Sequence, residues 1–187
     1  MLTQTMNFGF SMTRGTKQTT KTELAEREFV ALLMPLKRKI YNYIQKTLRF
    51  SEDAEDVFQE VIIRGYKYFD RYDRKRAFDL WIFAIAHNEI KRYFSGNRFR
   101  ELTVTDPIDA QPNLPDPEVG QQVREIYRIA DELKPKYREV FYLFYYNGFS
   151  VREISTICQL KEGNIKFILN GARKRIKEII GEKNGKK

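Results

Sequence analysis

The sequence predicts an all-α protein built as two small helical domains. Apolar residues recur at helical spacing through the first half of the 187-residue chain. A proline-rich, acidic stretch then interrupts the pattern, and the four helical segments behind it carry clear start and stop signals. A chain of this length suits one medium domain or two small ones.

Residues 1–22, rich in Thr, Ser, Gly and Gln without a sustained apolar period, read as a mobile tail. From Glu23 to Arg49 the apolar positions Leu24, Phe29, Leu32, Leu33, Leu36, Ile40, Tyr43, Ile44 and Leu48 predict one long helix bent at Pro35. Ser51 then caps a second helix. Its first turn carries Glu52, Asp53 and Glu55, where negative charge suits the positive end of the helix dipole. The inward stripe of that helix is Ala54, Phe58, Val61, Ile62 and Phe69. A turn over Asp70–Arg76 leads to a third helix, Ala77 to about Asn97, with Phe78, Trp81, Ile82, Ile85, Ala86 and Ile90 facing inward. Three helices of this length can share one core.

Residues 101–118 hold four of the six prolines, five acidic residues and no basic one, a composition that breaks helices and buries little. This stretch is read as a linker, because structureless loops of its length are uncommon within compact domains. The domain boundaries expected are therefore 23–100 and 119–182, followed by a short basic tail, 183–187. In the second domain the helical segments are 119–132, 135–146, 150–158 and 161–180. Pro135 stands where a first-turn proline is tolerated, Asn147-Gly148 stops a helix, and Ser150 with Glu153 forms a capping box. The last two segments have the helix, short turn, helix layout of a DNA-reading motif, although helical hairpins are common.

Thirty-four Lys and Arg against 25 Asp and Glu give a net charge of +9, favouring a polyanionic partner such as nucleic acid or an anionic membrane surface. No run of about 18–20 apolar residues and no signal-peptide core is present, so a cytoplasmic location is expected. The single cysteine, Cys158, lies among Ile154, Ile157 and Leu160 and reads as a small buried hydrophobe. One histidine, His87, with one distant cysteine does not make the usual structural zinc set, and no metal or cofactor is called for. Nor is there a phosphate loop or nucleophile motif, so catalytic residues are expected to be absent and a small-molecule substrate is not indicated.

Two stretches resemble the two modules of extracytoplasmic-function sigma factors of the sigma-70 family. Residues 53–94, DAEDVFQEVIIRGYKYFDRYDRKRAFDLWIFAIAHNEIKRYF, are similar to region 2, and residues 133–179, beginning LKPKYREVFYLFYYNGFS, to region 4. The resemblance covers about residues 23–182 and implies a three-helix region 2 domain and a helix-turn-helix region 4 domain. Its implied partners are the beta and beta-prime subunits of RNA polymerase core and promoter DNA. Because family members are often held by an anti-sigma factor, such a factor is an implied further partner.

Within the first module, Asp53, Asp56, Gln59, Glu60 and Arg64 fall off the inward stripe and form an acidic, hydrogen-bonding face. An ordinary solvated helix face has the same composition, and it is the resemblance that implies polymerase docking there. The following turn interleaves aromatics with cations, a combination suited to unpaired DNA because rings stack on bases and cations hold phosphates. By resemblance, a base of the minus-10 non-template strand would sit near Tyr68, Tyr72 and Asn88; Arg74, Lys75 and Arg76 on the turn, and Lys91, Arg92 and Arg98 further along the third helix, are placed to hold the backbone.

In the second module the recognition helix is expected to present Lys161, Asn164, Lys166, Phe167, Asn170 and Arg173 to minus-35 DNA. Its reading face departs from the family pattern at Gln159, Lys161, the run Asn164–Ile168 and Gly171. The family's minus-35 sequence is therefore not carried over. Two other functions fit parts of the pattern. A dimeric helix-turn-helix regulator accounts for the second module only, and an interaction adaptor would leave the positive charge incidental.

Overall fold

The computed structural model describes residues 21–48, 51–96 and 120–184; the tail and linker assigned from the sequence lie almost wholly outside them. All regular structure among the described residues is helical. The expected bent first helix is two helices, α1 (Lys21–Leu33) and α2 (Lys37–Leu48), joined by a tight turn over Met34–Leu36 with Pro35 inside it. A mid-helix proline removes one backbone donor and clashes with the preceding turn, which is the cause of the break. Helix α3 spans Ser51–Lys67, a short 3-10 turn follows over Phe69–Arg71, and α4 spans Phe78–Gly96.

These helices bury Phe29, Ile40, Tyr43, Ile44, Val61, Phe69, Ile82, Phe83 and Ile90 together. Leu24, expected inward, is instead exposed at the open end of α1. Helix α1 crosses α3 closely at Gly65, where an added Cβ would lie 2.9 Å from Ile82 and 3.1 Å from the Phe29 ring. A glycine is needed there for space rather than for backbone conformation.

The second module begins with α5 (Gln121–Ala130) and α6 (Pro135–Phe141), which widens into a π-type turn over Tyr142–Tyr146. Gly148, at φ +76°, then reverses the chain as its residue type predicts. Helix α7 (Val151–Cys158) starts on the expected capping box: the Ser150 hydroxyl accepts from the Glu153 N–H, while Glu153 accepts from the Ser150 N–H. Helix α8 runs from Glu162 to Asn184. Between them Gln159 takes the left-handed conformation, at φ 55°, that closes a helix C-terminus. Cys158 is buried, and its burial pushes the thiol well above its usual range, away from the reactive thiolate form.

Gly171, a departure from the family pattern, has a local reason. A Cβ there would lie 2.6 Å from the Tyr137 ring of α6, so α6 and α8 approach more closely than any larger residue allows.

The two modules pack on each other. Phe83 of α4 meets Phe149 with ring centroids 4.9 Å apart, and Lys39 of α2 lies 4.7 Å above that same Phe149 ring. Glu139 of α6 accepts a 2.6 Å hydrogen bond from the Tyr43 hydroxyl, and His87 Nδ1 lies 2.7 Å from the same oxygen. Arg138, also buried, donates twice to the Thr47 carbonyl at the end of α2 and also to the carbonyls of Asp131 and Leu133. One guanidinium thus satisfies carbonyls at the C-terminal ends of two helices, one from each module. Such carbonyls have no intrahelical partner, and a cation suits the negative end of the dipole.

Candidate functional site

The residues singled out from the sequence divide into three places. On α3, the side chains of Asp56, Gln59 and Glu60 are exposed along one outer face. Asp53 is half-buried and accepts a 2.7 Å hydrogen bond from the Tyr93 hydroxyl of α4. Arg64 stands at the edge of the group. Its Nε is 3.5 Å from Glu60 and 2.9 Å from the buried Glu89 carboxylate of α4, so it borders both the acidic face and the side of α3 that meets α4.

That side holds an open cavity of about 440 Å³ lined by Arg64, Tyr68, Asn88, Glu89, Lys91 and Arg92, with Ile85 and Ser95 completing the wall. The α3–turn–α4 geometry makes it, because residue 68 ends one helix while residues 85, 88, 92 and 95 repeat at three- and four-residue spacing along the facing one. Two cations flank the Tyr68 ring, the Arg71 guanidinium at 5.3 Å and the Lys67 ammonium at 5.9 Å. The cavity therefore joins an aromatic face, fixed cations and an exposed amide at Asn88.

Tyr72, expected beside Tyr68, does not line this cavity. Its ring is buried, stacked on Phe69 at 5.9 Å and packed against Phe78 and Trp81 at 5.4 and 5.1 Å, and its hydroxyl donates to the Arg76 carbonyl. Burial raises the phenol's pKa above its usual value. Tyr72 thus shapes the turn, its ring packed away from the cavity. The correction has a simple cause: Tyr72 leaves the 3-10 turn on its inner side, where Phe29, Phe69 and Phe78 already cluster.

Arg74, Lys75 and Arg76 remain exposed on the turn, but Arg74 is already held. Its Nε and Nη2 donate to the two carboxylate oxygens of Glu28, each at 2.8 Å, which lowers the pKa of Glu28. Lys91 and Arg92 stand exposed on α4, Arg92 gripping Glu89 at 2.7 Å, while Arg98 lies outside the described residues. Glu89 was absent from the expected set. The available signal was an acidic residue within an apolar stripe with an arginine three positions later.

In the second module Lys161, Asn164, Lys166, Phe167, Asn170 and Arg173 all present exposed side chains, five of them along α8 and Lys161 just ahead of it. Phe167 is 70% exposed, the most open large apolar residue among those described. Arg173 is braced by the Tyr145 hydroxyl at 2.7 Å and by Asn170 Oδ1 at 3.1 Å. The opposite side of α8 is anchored by Ile165, Ile168, Leu169 and Ala172, all buried. The result is a convex polar ridge, with one phenyl ring, on a fixed base.

Comparison with known proteins follows the same division. Residues 32–100 match the model of Sigma-70 region 2, and residues 123–176 match that of Sigma-70, region 4. The chain is 27% identical over 144 residues to the ECF RNA polymerase sigma factor SigM of Bacillus subtilis, covering 75% of this chain and 87% of that one. It is 28% identical over 162 residues to SigW of the same organism, covering 77% and 84%. Among solved structures, the sigma factor RpoE of Bartonella quintana, in complex with the anti-sigma factor NepR, superposes with a TM-score of 0.68 at 20% identity, covering 83% of this chain and 98% of that one. CnrH, in complex with the cytosolic domain of CnrY, superposes with a TM-score of 0.62 at 18% identity, covering 86% and 95%.

Proposed function

Because the chain belongs to the sigma-70 family, as a factor of the extracytoplasmic-function type that directs transcription initiation, we propose a division of its task among the three surfaces. The exposed acidic face of Asp56, Gln59 and Glu60, with Asp53 at its edge, docks on polymerase core. The cavity between α3 and α4 captures an unpaired base of the melted minus-10 strand, with Tyr68 as the stacking face and Asn88 as the edge reader. Lys91 holds the adjoining phosphates, assisted by Lys75, Arg76 and Arg74 on the turn, while Arg64 and Arg92 wall the cavity. Helix α8 enters the major groove of the minus-35 duplex through Lys166, Phe167 and Asn170, with Lys161, Asn164 and Arg173 at its flanks. The chain performs no chemistry; nucleotidyl transfer belongs to the polymerase.

The observation that carries this reading is one chain bearing both a concave aromatic and cationic cavity and a convex helix-turn-helix ridge. A dimeric duplex-binding regulator has no use for the first, and an adaptor has no use for either.

Use of both surfaces on one promoter requires the modules to part. Elements centred near minus 10 and minus 35 lie about 25 base pairs apart, which is about 85 Å at ~3.4 Å per pair. Packed helices are only about 10 Å across, so a cavity on α4 and a ridge one helix beyond α7 sit far closer than that. The 23 residues between Gly96 and Gly120 reach about 80 Å when fully extended, enough with the modules' own width to span the promoter. An anti-sigma factor that stabilises the closed pair would keep the chain inactive.

The test is transcription by purified core polymerase on genomic fragments, with and without this protein. Fragment-specific initiation is expected, and the double substitution Asp56→Lys, Glu60→Lys should abolish both it and core association. Failure to stimulate any fragment would refute the reading; core association unchanged in the double variant would move the docking surface elsewhere.

A further inference from the structure

Glu89 is a carboxylate in an unexpected place. It sits in the middle of α4 beside Ile90, and its side chain is only 6% exposed. Burying an unpaired carboxylate is strongly unfavourable, so its position depends on the cations that reach it. Two do. Arg92, one turn along the same helix, places Nη1 at 2.9 and 2.7 Å from the two carboxylate oxygens. Arg64, from the facing helix α3, places Nε 2.9 Å from one of them. Both arginines line the cavity that also holds Tyr68 and Asn88.

We infer that Glu89 is a positioning residue that fixes Arg64 and Arg92 as walls of the base cavity, exchanging affinity for DNA in general for discrimination among unpaired bases. The inference rests on the reading of this cavity as the minus-10 capture site. A guanidinium on a free stem moves to the nearest phosphate and binds any strand alike, because phosphate contacts carry no sequence information. One held in a fixed fork offers its donors from a set position, which is what a base edge of definite shape requires. A guanidinium has five N–H donors; Glu89 accepts from one terminal nitrogen of Arg92 and meets Arg64 as an ion pair at 2.9 Å, where the Arg64 Nε makes no hydrogen bond. The carboxylate also offsets one of the two charges, which weakens the cavity's attraction for phosphate.

This role gives a signature opposite in sign to that of a merely structural residue. Glu89→Gln keeps the shape of the side chain but removes the charge that holds the two arginines. The full-length protein and its Glu89→Gln, Glu89→Asp and Tyr68→Ala variants would be titrated against short fluorescent single strands of deoxythymidine, deoxycytidine and deoxyadenosine over a range of salt. Glu89→Gln is expected to bind all three severalfold more tightly at low salt. Its log affinity should fall more steeply with log salt, by about 0.7 for each additional phosphate neutralised. The spread in affinity among the three strands should narrow. Glu89→Asp keeps the charge on a shorter stem, and the same changes should appear there in smaller size; it serves as the test should Glu89→Gln fail to fold.

Uniformly weaker binding with an unchanged salt slope would show that Glu89 only supports the fold, and an unchanged spread and slope would show that it does not restrain the arginines. Tyr68→Ala separates these results from failure of the underlying reading. If loss of that ring leaves affinity for every strand unchanged, the cavity is not the base site; if affinity falls while Glu89→Gln alters neither spread nor slope, only the role of Glu89 is lost.

Discussion

The two candidate DNA-reading surfaces of this chain differ in how they are held. The cavity between α3 and α4 is concave, and two of its cations share one buried carboxylate, Arg64 and Arg92 both meeting Glu89. The ridge on α8 is convex: Lys166 and Phe167 project from it exposed over a buried base of Ile165, Ile168 and Leu169, and only toward its end is Arg173 braced, by Tyr145 and Asn170. The difference matches the difference between their proposed ligands. An unpaired base is a small plate that must be enclosed, so the receiving groups are best arranged beforehand. A duplex groove is a preformed channel, and a rigid helix with free side-chain ends suffices to enter it.

The sharpest way to break the comparison is to disturb the support of the cavity without touching its lining. Tyr72→Ala empties a ring packed among Phe69, Phe78 and Trp81 and is expected to cost about 3–5 kcal/mol of stability in the first module. Urea unfolding measures this directly. A loss below about 1 kcal/mol would put Tyr72 back among the exposed readers.

Next in size is the joint between the modules. Arg138→Ala strands the buried Thr47 and Leu133 carbonyls and should cost about 2–3 kcal/mol in the same unfolding experiment. If the modules part on promoter binding, this variant should also take up the open form more readily, seen as a larger hydrodynamic radius of the free protein. A variant that is destabilised but no larger would show that other contacts hold the pair.

The base of the convex ridge is probed by its glycines. Gly171→Ala drives a methyl into the Tyr137 ring and is expected to destabilise by about 1–3 kcal/mol. Gly163→Ala, in open space near the start of α8, should instead stabilise by up to about 1 kcal/mol. Thermal melts of the two variants should move in opposite directions.

The smallest expected effect concerns pH. Hydrogen bonds from the Ser150 backbone and hydroxyl hold the Glu153 carboxyl below its ordinary value of 4.5. The stabilisation of a group depressed in this way is complete above that value and is lost as pH falls through the lower, folded-state value. Glu153→Gln should therefore flatten a stability decline that the unmodified protein shows below about pH 4.5, by no more than about 1 kcal/mol. Stability against pH, followed by urea midpoint, reports it.

Much of the fold was legible in the sequence because its punctuation is local. Pro35 broke the first helix, Ser150 and Glu153 capped α7, Gly148 turned the chain, and the stripes of Ile, Leu and Phe named most of the core. What was illegible depends on packing between distant segments. Nothing in the run Tyr68–Tyr72 tells which tyrosine faces inward; the aromatic cluster beneath the turn decides it. Arg64 lies on the helix of the acidic face, yet it turns toward a carboxylate on another helix. Arg138 gives no sign in the sequence that it will cap a helix of the other module. Gly171 reads in the sequence only as a departure from the family pattern; the Tyr137 ring packed against it supplies the reason.

The central claim is that the concave cavity acts after strand separation and the convex ridge before it. The most direct measurement follows initial duplex binding and strand opening separately, on one promoter, with polymerase carrying either Tyr68→Ala with Asn88→Ala or Lys166→Ala with Phe167→Ala. The first pair is predicted to leave duplex binding near normal and to slow opening by roughly 5–150-fold, the equivalent of one lost stack of about 1–3 kcal/mol. The second pair is predicted to weaken duplex binding while each bound complex opens at the usual rate. Equal losses in both steps for both pairs, or the opposite assignment, would contradict the account.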